Sequence, residues 1–208
     1  MTTANRMSEA ERLEQLWSGP FGDEDVDRNL AAYERRGEFW LPLMDELRPA
    51  SVVEVGCSVG GNLQWIAQRV PPARVVGVDV NTKALRRLEE RVPNVRGMHG
   101  PARDLPFADR SFDFVFTTDV LVHQPDETLE KVMSEMVRVA RRWVFCAERP
   151  GAATVDAAHQ GRTEPLVRRD YGDIFEELFP YELALVRRGH LAPDAGWDHD
   201  TWWLFARS

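Results

Sequence analysis

The chain has 208 residues, 43% hydrophobic and 29% charged, with a formal net charge of -8, enough for one domain with a substantial core and no need of disulfides or metals. The acidic balance opposes a phosphate backbone and argues against nucleic acid as a substrate. No apolar run is long enough to span a bilayer, and Met1 to Glu14 is polar and mixed in charge, so neither membrane insertion nor secretion is expected.

From Ser8 to Trp17 the apolar spacing is helical, and Ser8 with Glu11 three residues on is a capping-box signature. Ser18-Gly19-Pro20-Phe21-Gly22-Asp23 reads as a break and hinge, after which Leu30, Tyr33, Phe39 and Trp40 predict a longer helix toward Leu47. Residues 1–48 thus form a helical cap or lid, and residues 51–208 a core within one domain.

In the core, Val52 to Val55, Val75 to Val78, Phe112 to Phe116 and Val144 to Cys146 read as buried parallel strands, with Val95 to Met98 a weaker one. Asn62 to Arg69, Thr82 to Arg91 and Asp126 to Ala140 read as the helices between them. Tyr181 to Val186 and Thr201 to Ala206 suit an antiparallel hairpin at the sheet edge. The expected fold is α/β: a doubly wound, seven-stranded sheet, mostly parallel, with that hairpin at its C-terminal end. Cys57 and Cys146 fall in a strand-to-helix turn and a buried strand, with no metal-type spacing between them, which fits a reducing, cytoplasmic setting and no metal.

The strongest local signal is Val52-Val53-Glu54-Val55-Gly56-Cys57-Ser58-Val59-Gly60-Gly61-Asn62, a buried strand running into glycines that open a helix. Gly56 and Gly60 let the backbone turn sharply and approach a ligand. The spacing is not the dinucleotide fingerprint, and Glu54 suits a positively charged ligand better than a pyrophosphate. The second strand ends at Asp79, about 20 residues beyond the first glycine, where an acid accepts ribose hydroxyls. Its alternative role is to cap the next helix, which Asn81 can do equally.

These features, with the run Asp104-Leu105-Pro106-Phe107-Ala108-Asp109-Arg110-Ser111-Phe112-Asp113, resemble class I S-adenosylmethionine-dependent methyltransferases over roughly residues 51–146. The resemblance implies a Rossmann-like core, S-adenosylmethionine as cofactor, Glu54 at its methionine end, the turn from Gly56 through Cys57 and Gly60 to Asn62 against it, and Asp79 on the ribose. Relatives often bind the adenine amino group with an acid where this chain has Pro101. Adenine is then expected against Ala102 and Arg103, with Val80 and Asn81 beside the ring and Asp104 out of register. Trp17 to Asp23, Asp27-Arg28-Asn29, Val120 to His123, Arg169-Asp170-Tyr171 and Thr201 to Phe205 are similar to the group named pseudaminic acid biosynthesis-associated methylases.

The methyl-transfer site is expected at the end of the fourth core strand. There His123 has the chemistry of a general base but can also cap the helix near Pro125. Thr118 and Asp119 share that edge, where they can meet the methionine ammonium or orient a substrate. Trp17, Phe21, Arg28 and Asn29 belong to a segment that can fold over the cofactor, or serve ordinary cap packing. Tyr171 and Asp170 can reach a substrate or begin a helix; Arg162, Arg168 and Arg169 can bind an anion or stay solvated. The expected reaction is methyl transfer to oxygen or nitrogen of a small polar metabolite, yielding S-adenosylhomocysteine, by a monomer or homodimer. Its rivals are cyclisation of the cofactor with release of methylthioadenosine, binding without catalysis, and, least of all, an NAD-dependent oxidoreductase.

Overall fold

The structure is a computed structural model that describes residues 7–29, 33–151, 154–159, 162–167, 169–191 and 193–208. Helix α1 spans Glu9–Ser18 and starts with the expected capping box, Ser8 Oγ accepting from Glu11 N while Glu11 bonds back to Ser8 N. The expected hinge is in fact a corner. Gly19 ends α1 and Pro20 opens a second helix, α2 (Pro20–Arg28), because proline has no N–H to lose in a first helical turn. Helix α3 is then confined to Gly37–Leu47, and Leu30, the expected start of the longer helix, lies outside the described residues.

Strand β1 (Val52–Val55) is buried along its whole length. It is followed by α4, cut to Leu63–Ile66, then β2 (Val75–Asp79), α5 (Thr82–Arg91) and β3 (Arg96–His99). Next come β4 (Phe112–Thr118), α6 (Asp126–Val139) and β5 (Ala140–Glu148). Two runs absent from the expected elements, β6 (Thr154–His159) and β7 (Arg162–Val167), pair antiparallel in a sheet of their own. Asp156, Glu164 and Pro165 interrupt the apolar alternation that would have marked them as strands. Helix α7 (Tyr171–Leu178), β8 (Leu183–His190) and β9 (Thr201–Arg207) complete the chain.

The main sheet has seven strands in the order β3-β2-β1-β4-β5-β9-β8. Pairings from β3 to β5 are parallel, and β9 is antiparallel to both β5 and β8, which is the expected architecture. The chain leaves β1 toward β2 on one side and returns through β4 on the other. That reversal opens a crevice at the carboxyl ends of β1 and β4, where open α/β sheets take their ligands.

Cores lie on both faces of the sheet. On one, Trp40 of α3 is fully buried and packs edge-on or tilted against Phe114, Phe116 and Phe145. This ring fastens the cap to the sheet. Trp40→Ala should therefore lower unfolding free energy by ~3–5 kcal/mol in urea titrations; a loss under about 1 kcal/mol would show the cap to be only loosely attached.

Candidate functional site

A cavity of about 530 Å³ lies at the carboxyl ends of β1, β2 and β4, roofed by α1 and α2, within the usual range for small-molecule sites. Its floor begins at Gly56, whose φ of +74° is left-handed and whose missing Cβ would meet Val120 Cγ2 at 2.3 Å. Only glycine turns there without pushing the β4 loop aside.

Asp79 closes β2 at one side. Its Oδ2 accepts from Ser58 N and its Oδ1 from Asn81 N, both at 2.8 Å. Asn81 caps α5, accepting from Lys83 N and Ala84 N, so Asp79 is free of the capping role. Each carboxylate oxygen keeps a lone pair for a ligand hydroxyl. Burial raises the Asp79 pKa, and the backbone bonds lower it in part.

Glu54, in β1, is 1% exposed. Its Oε1 accepts from Asn62 Nδ2 at 2.6 Å, while Oε2 is buried without a partner. Burial pushes its pKa up to about 8, against the lowering effects of Asn62 and the Arg36 charge. An orphaned carboxylate oxygen in a cavity wall is costly unless a ligand cation meets it.

Asn62 sits at the centre of this wall. It donates to Glu54 Oε1 and Thr118 Oγ1 and accepts from Arg36 Nη1 and Trp40 Nε1. Arg36 is 6% exposed and lines the cavity. Its guanidinium lies 4.5 Å from the Tyr33 ring centre and 3.9 Å from that of Trp197, and it also donates to Gly196 O.

Beyond β4 the lining turns charged. Asp119, in the left-handed region at φ 55°, faces Arg149 Nε at 3.4 Å, and Arg149 Nη2 pairs with Asp198 at 2.6 Å. Burial and the charge of Asp200 raise the Asp119 pKa, and Arg149 lowers it. His123 stands on the turn after Asp119, with its ring 4.8 Å from that of Trp17.

The roof is tied down at four points. Glu14 forms a two-point ion pair with Arg103, and Ala10 N donates to Glu127. Asn81 Nδ2 donates to Trp17 O, and Lys83 reaches Asp23 O and Asp27. As placed, α1 and α2 cover one side of the cavity.

Residues 52–142 match the family described as methyltransferase domain. The fold is similar to magnesium protoporphyrin IX methyltransferase from Synechocystis PCC 6803, solved with bound S-adenosylmethionine, at 16% identity and a TM-score of 0.72, covering 99% of this chain and 100% of that one. The family match covers under half of the chain, and the structural likeness, at so low an identity, is one of fold. The fold also resembles Burkholderia thailandensis 1,6-didemethyltoxoflavin-N1-methyltransferase, at 19% identity and a TM-score of 0.68 over 95% of this chain and 87% of the other. In sequence, methyltransferase GfsG of Streptomyces halstedii is 32% identical over 132 residues, 60% of this chain and 45% of that protein. The chain thus spans under half the length of that curated relative.

Of the residues expected at the cofactor, Trp17, Glu54, Gly56, Cys57 and Asn62 line the cavity, as do Asp79, Val80, Asn81, Ala102 and Thr118. Gly60 and Arg103 do not. Gly60 is left-handed and an added Cβ would strike Leu88 Cδ1 at 2.2 Å, so glycine there answers a turn and a packing demand, and Arg103 is spent on Glu14. Asp104 is exposed. His123 and Asp119 line the cavity, and α6 is capped at Pro125 without a side-chain bond, so His123 is not its cap.

Among the expected substrate residues Asn29 lines the cavity, held by Asp25, whereas Arg28 is exposed and paired with Asp25. Tyr171 is fully buried against Trp203, and Asp170 caps α7. Arg169 pairs with Asp126; Arg168 and the side chain of Arg162 lie outside the described residues. Arg36, Tyr33, Arg149, Trp197 and Asp198 were not singled out. They come from the cap, the end of β5 and the β8–β9 loop, and no local motif marks them.

Glu54 gives a pH test. Unfolded it titrates near 4.5 and folded near 8, so the folded protein holds the extra proton between those values and stability falls as pH rises through that window. Glu54→Gln should remove this fall, leaving thermal unfolding midpoints flatter from about pH 5 to 8; a variant that tracks the parent would show that Glu54 is not strained.

Proposed function

We propose that the protein transfers the methyl group of S-adenosylmethionine to an oxygen or nitrogen of a small polar metabolite. The observation that carries this reading is a complementary set of groups in one cavity: the spare lone pairs of Asp79, the orphaned Glu54 Oε2 and the buried Arg36. They match in order a ribose diol, an ammonium and a carboxylate, the polar ends of that cofactor. Ala102 and Val80 supply the apolar wall for a purine beyond Asp79. A pyrophosphate would meet the Asp79 carboxylate as a like charge, which disfavours the NAD reading.

S-adenosylmethionine brings a methyl group already activated on a sulfonium, so alignment and exclusion of water carry most of the catalysis. The roof of α1 and α2 excludes water. His123 is placed to take a proton from an attacking hydroxyl or amine, and Asp119, its pKa raised, can hold the acceptor or that proton. The acceptor end is polar and charged, with Asp119, Arg149 and Asp198, which suits a sugar or amino-acid derivative better than an acyl chain.

The test is mass spectrometry of products from S-adenosylmethionine, alone and with pooled polar metabolites. The expected product is S-adenosylhomocysteine, appearing only with an acceptor; methylthioadenosine formed without one would replace methyl transfer by cyclisation. Asp79→Ala should weaken S-adenosylhomocysteine binding about ten- to hundred-fold in calorimetry, as two ligand hydrogen bonds to a charged group are lost; unchanged affinity would remove Asp79 from the ribose.

A further inference from the structure

Glu148, the last residue of β5, is wholly buried yet is not part of the cavity wall. Its carboxylate reaches across the end of β4 to the turn that follows. Oε1 accepts from Val120 N at 3.1 Å and Leu121 N at 3.0 Å, and Oε2 from Val122 N at 3.1 Å. Three successive backbone donors converge on one carboxyl group, and among the described residues Glu148 has no ion pair to share the work.

The turn it holds carries the chemistry. Asp119 precedes it in a left-handed conformation, which aspartate adopts more readily than most side chains. His123 ends it, its N–H bonded to Val120 O at 3.1 Å. On the cavity side the ring of Trp17 meets His123. His123 is therefore fixed from behind by a turn pinned to Glu148 and from the front by the lid.

We propose that Glu148 is a positioning residue, whose carboxyl group holds the Val120–His123 turn in the one conformation that presents His123 and Asp119 to the acceptor. The inference rests on the methyl-transfer reading for its functional consequence, but the geometry is independent of it. Glutamine has the same shape and fills the same space, yet its amide nitrogen is a donor. Turned either way, it faces one or two of the three backbone donors with another donor and leaves them unsatisfied. A residue kept only for packing would tolerate that exchange.

The experiment compares the parent with Glu148→Gln by amide hydrogen exchange, by the nuclear Overhauser contact between the Trp17 and His123 rings, and by S-adenosylhomocysteine calorimetry. In the parent, Val120, Leu121 and Val122 should be strongly protected despite lying in a turn; fast exchange there would overturn the proposal without any variant. In Glu148→Gln, protection should fall about ten-fold or more in this turn alone, and the ring contact should weaken. S-adenosylhomocysteine affinity should stay within about two-fold, since Glu148 does not face the cofactor groups, while turnover with an acceptor falls about ten-fold or more. Unchanged protection with unchanged ring contact would make Glu148 a packing residue. Should Glu148→Gln fail to fold, Glu148→Asp, which keeps the carboxyl group, is expected to fold, and its failure too would overturn the assignment. Loss of S-adenosylhomocysteine binding by the parent would instead count against the methyl-transfer reading and leave the exchange result standing.

Discussion

The amide of Asn62 is the constraint on which the rest of the site depends. An asparagine side chain offers two donors and two acceptor positions, and here all four are used: Glu54 and Thr118 accept from Nδ2, and Arg36 and Trp40 donate to Oδ1. One buried group thereby joins β1, β4 and α3 and the residue that leads into it. The cap cannot move off the sheet without breaking bonds inside the cavity wall, and Glu54 cannot turn its free oxygen elsewhere.

That wall explains the electrostatics. Glu54 has one oxygen committed to Asn62 and the other buried without a partner, while the Arg36 guanidinium is buried within 4.5 Å of the Tyr33 ring centre and 3.9 Å of that of Trp197. A buried acid and a buried guanidinium are thus set by a shared neighbour rather than by one another, which is the basis for the proposed placement of a ligand with both charges. Burial keeps Glu54 protonated into the neutral range, so protein stability and proton uptake are linked through this residue.

The sheet was legible from the residues because β1, β2, β4 and β5 are buried on both faces and read as unbroken apolar runs. The glycine turn and Asp79 were legible because their chemistry is local, one strand and the turn after it. Helix α2 was not, since Pro20 and Gly22 carry the same signature in a loop as in a first helical turn. The β6–β7 hairpin was hidden by its charged and proline residues. Arg36, Arg149 and Trp197 were beyond reach because their role comes from three distant segments meeting above β4. Tyr171, by contrast, had the chemistry of a site residue and the packing of a core one, and only the position of Trp203 decides between them.

The most direct test of this account is calorimetric titration of S-adenosylhomocysteine near pH 7 in buffers of different ionisation enthalpy. An ammonium docking on Glu54 must ionise it, so the account predicts one-to-one binding with net release of a proton, lost in Glu54→Gln. Absence of binding, or binding with no proton released, would contradict the placement of the cofactor's amino-acid end at Glu54.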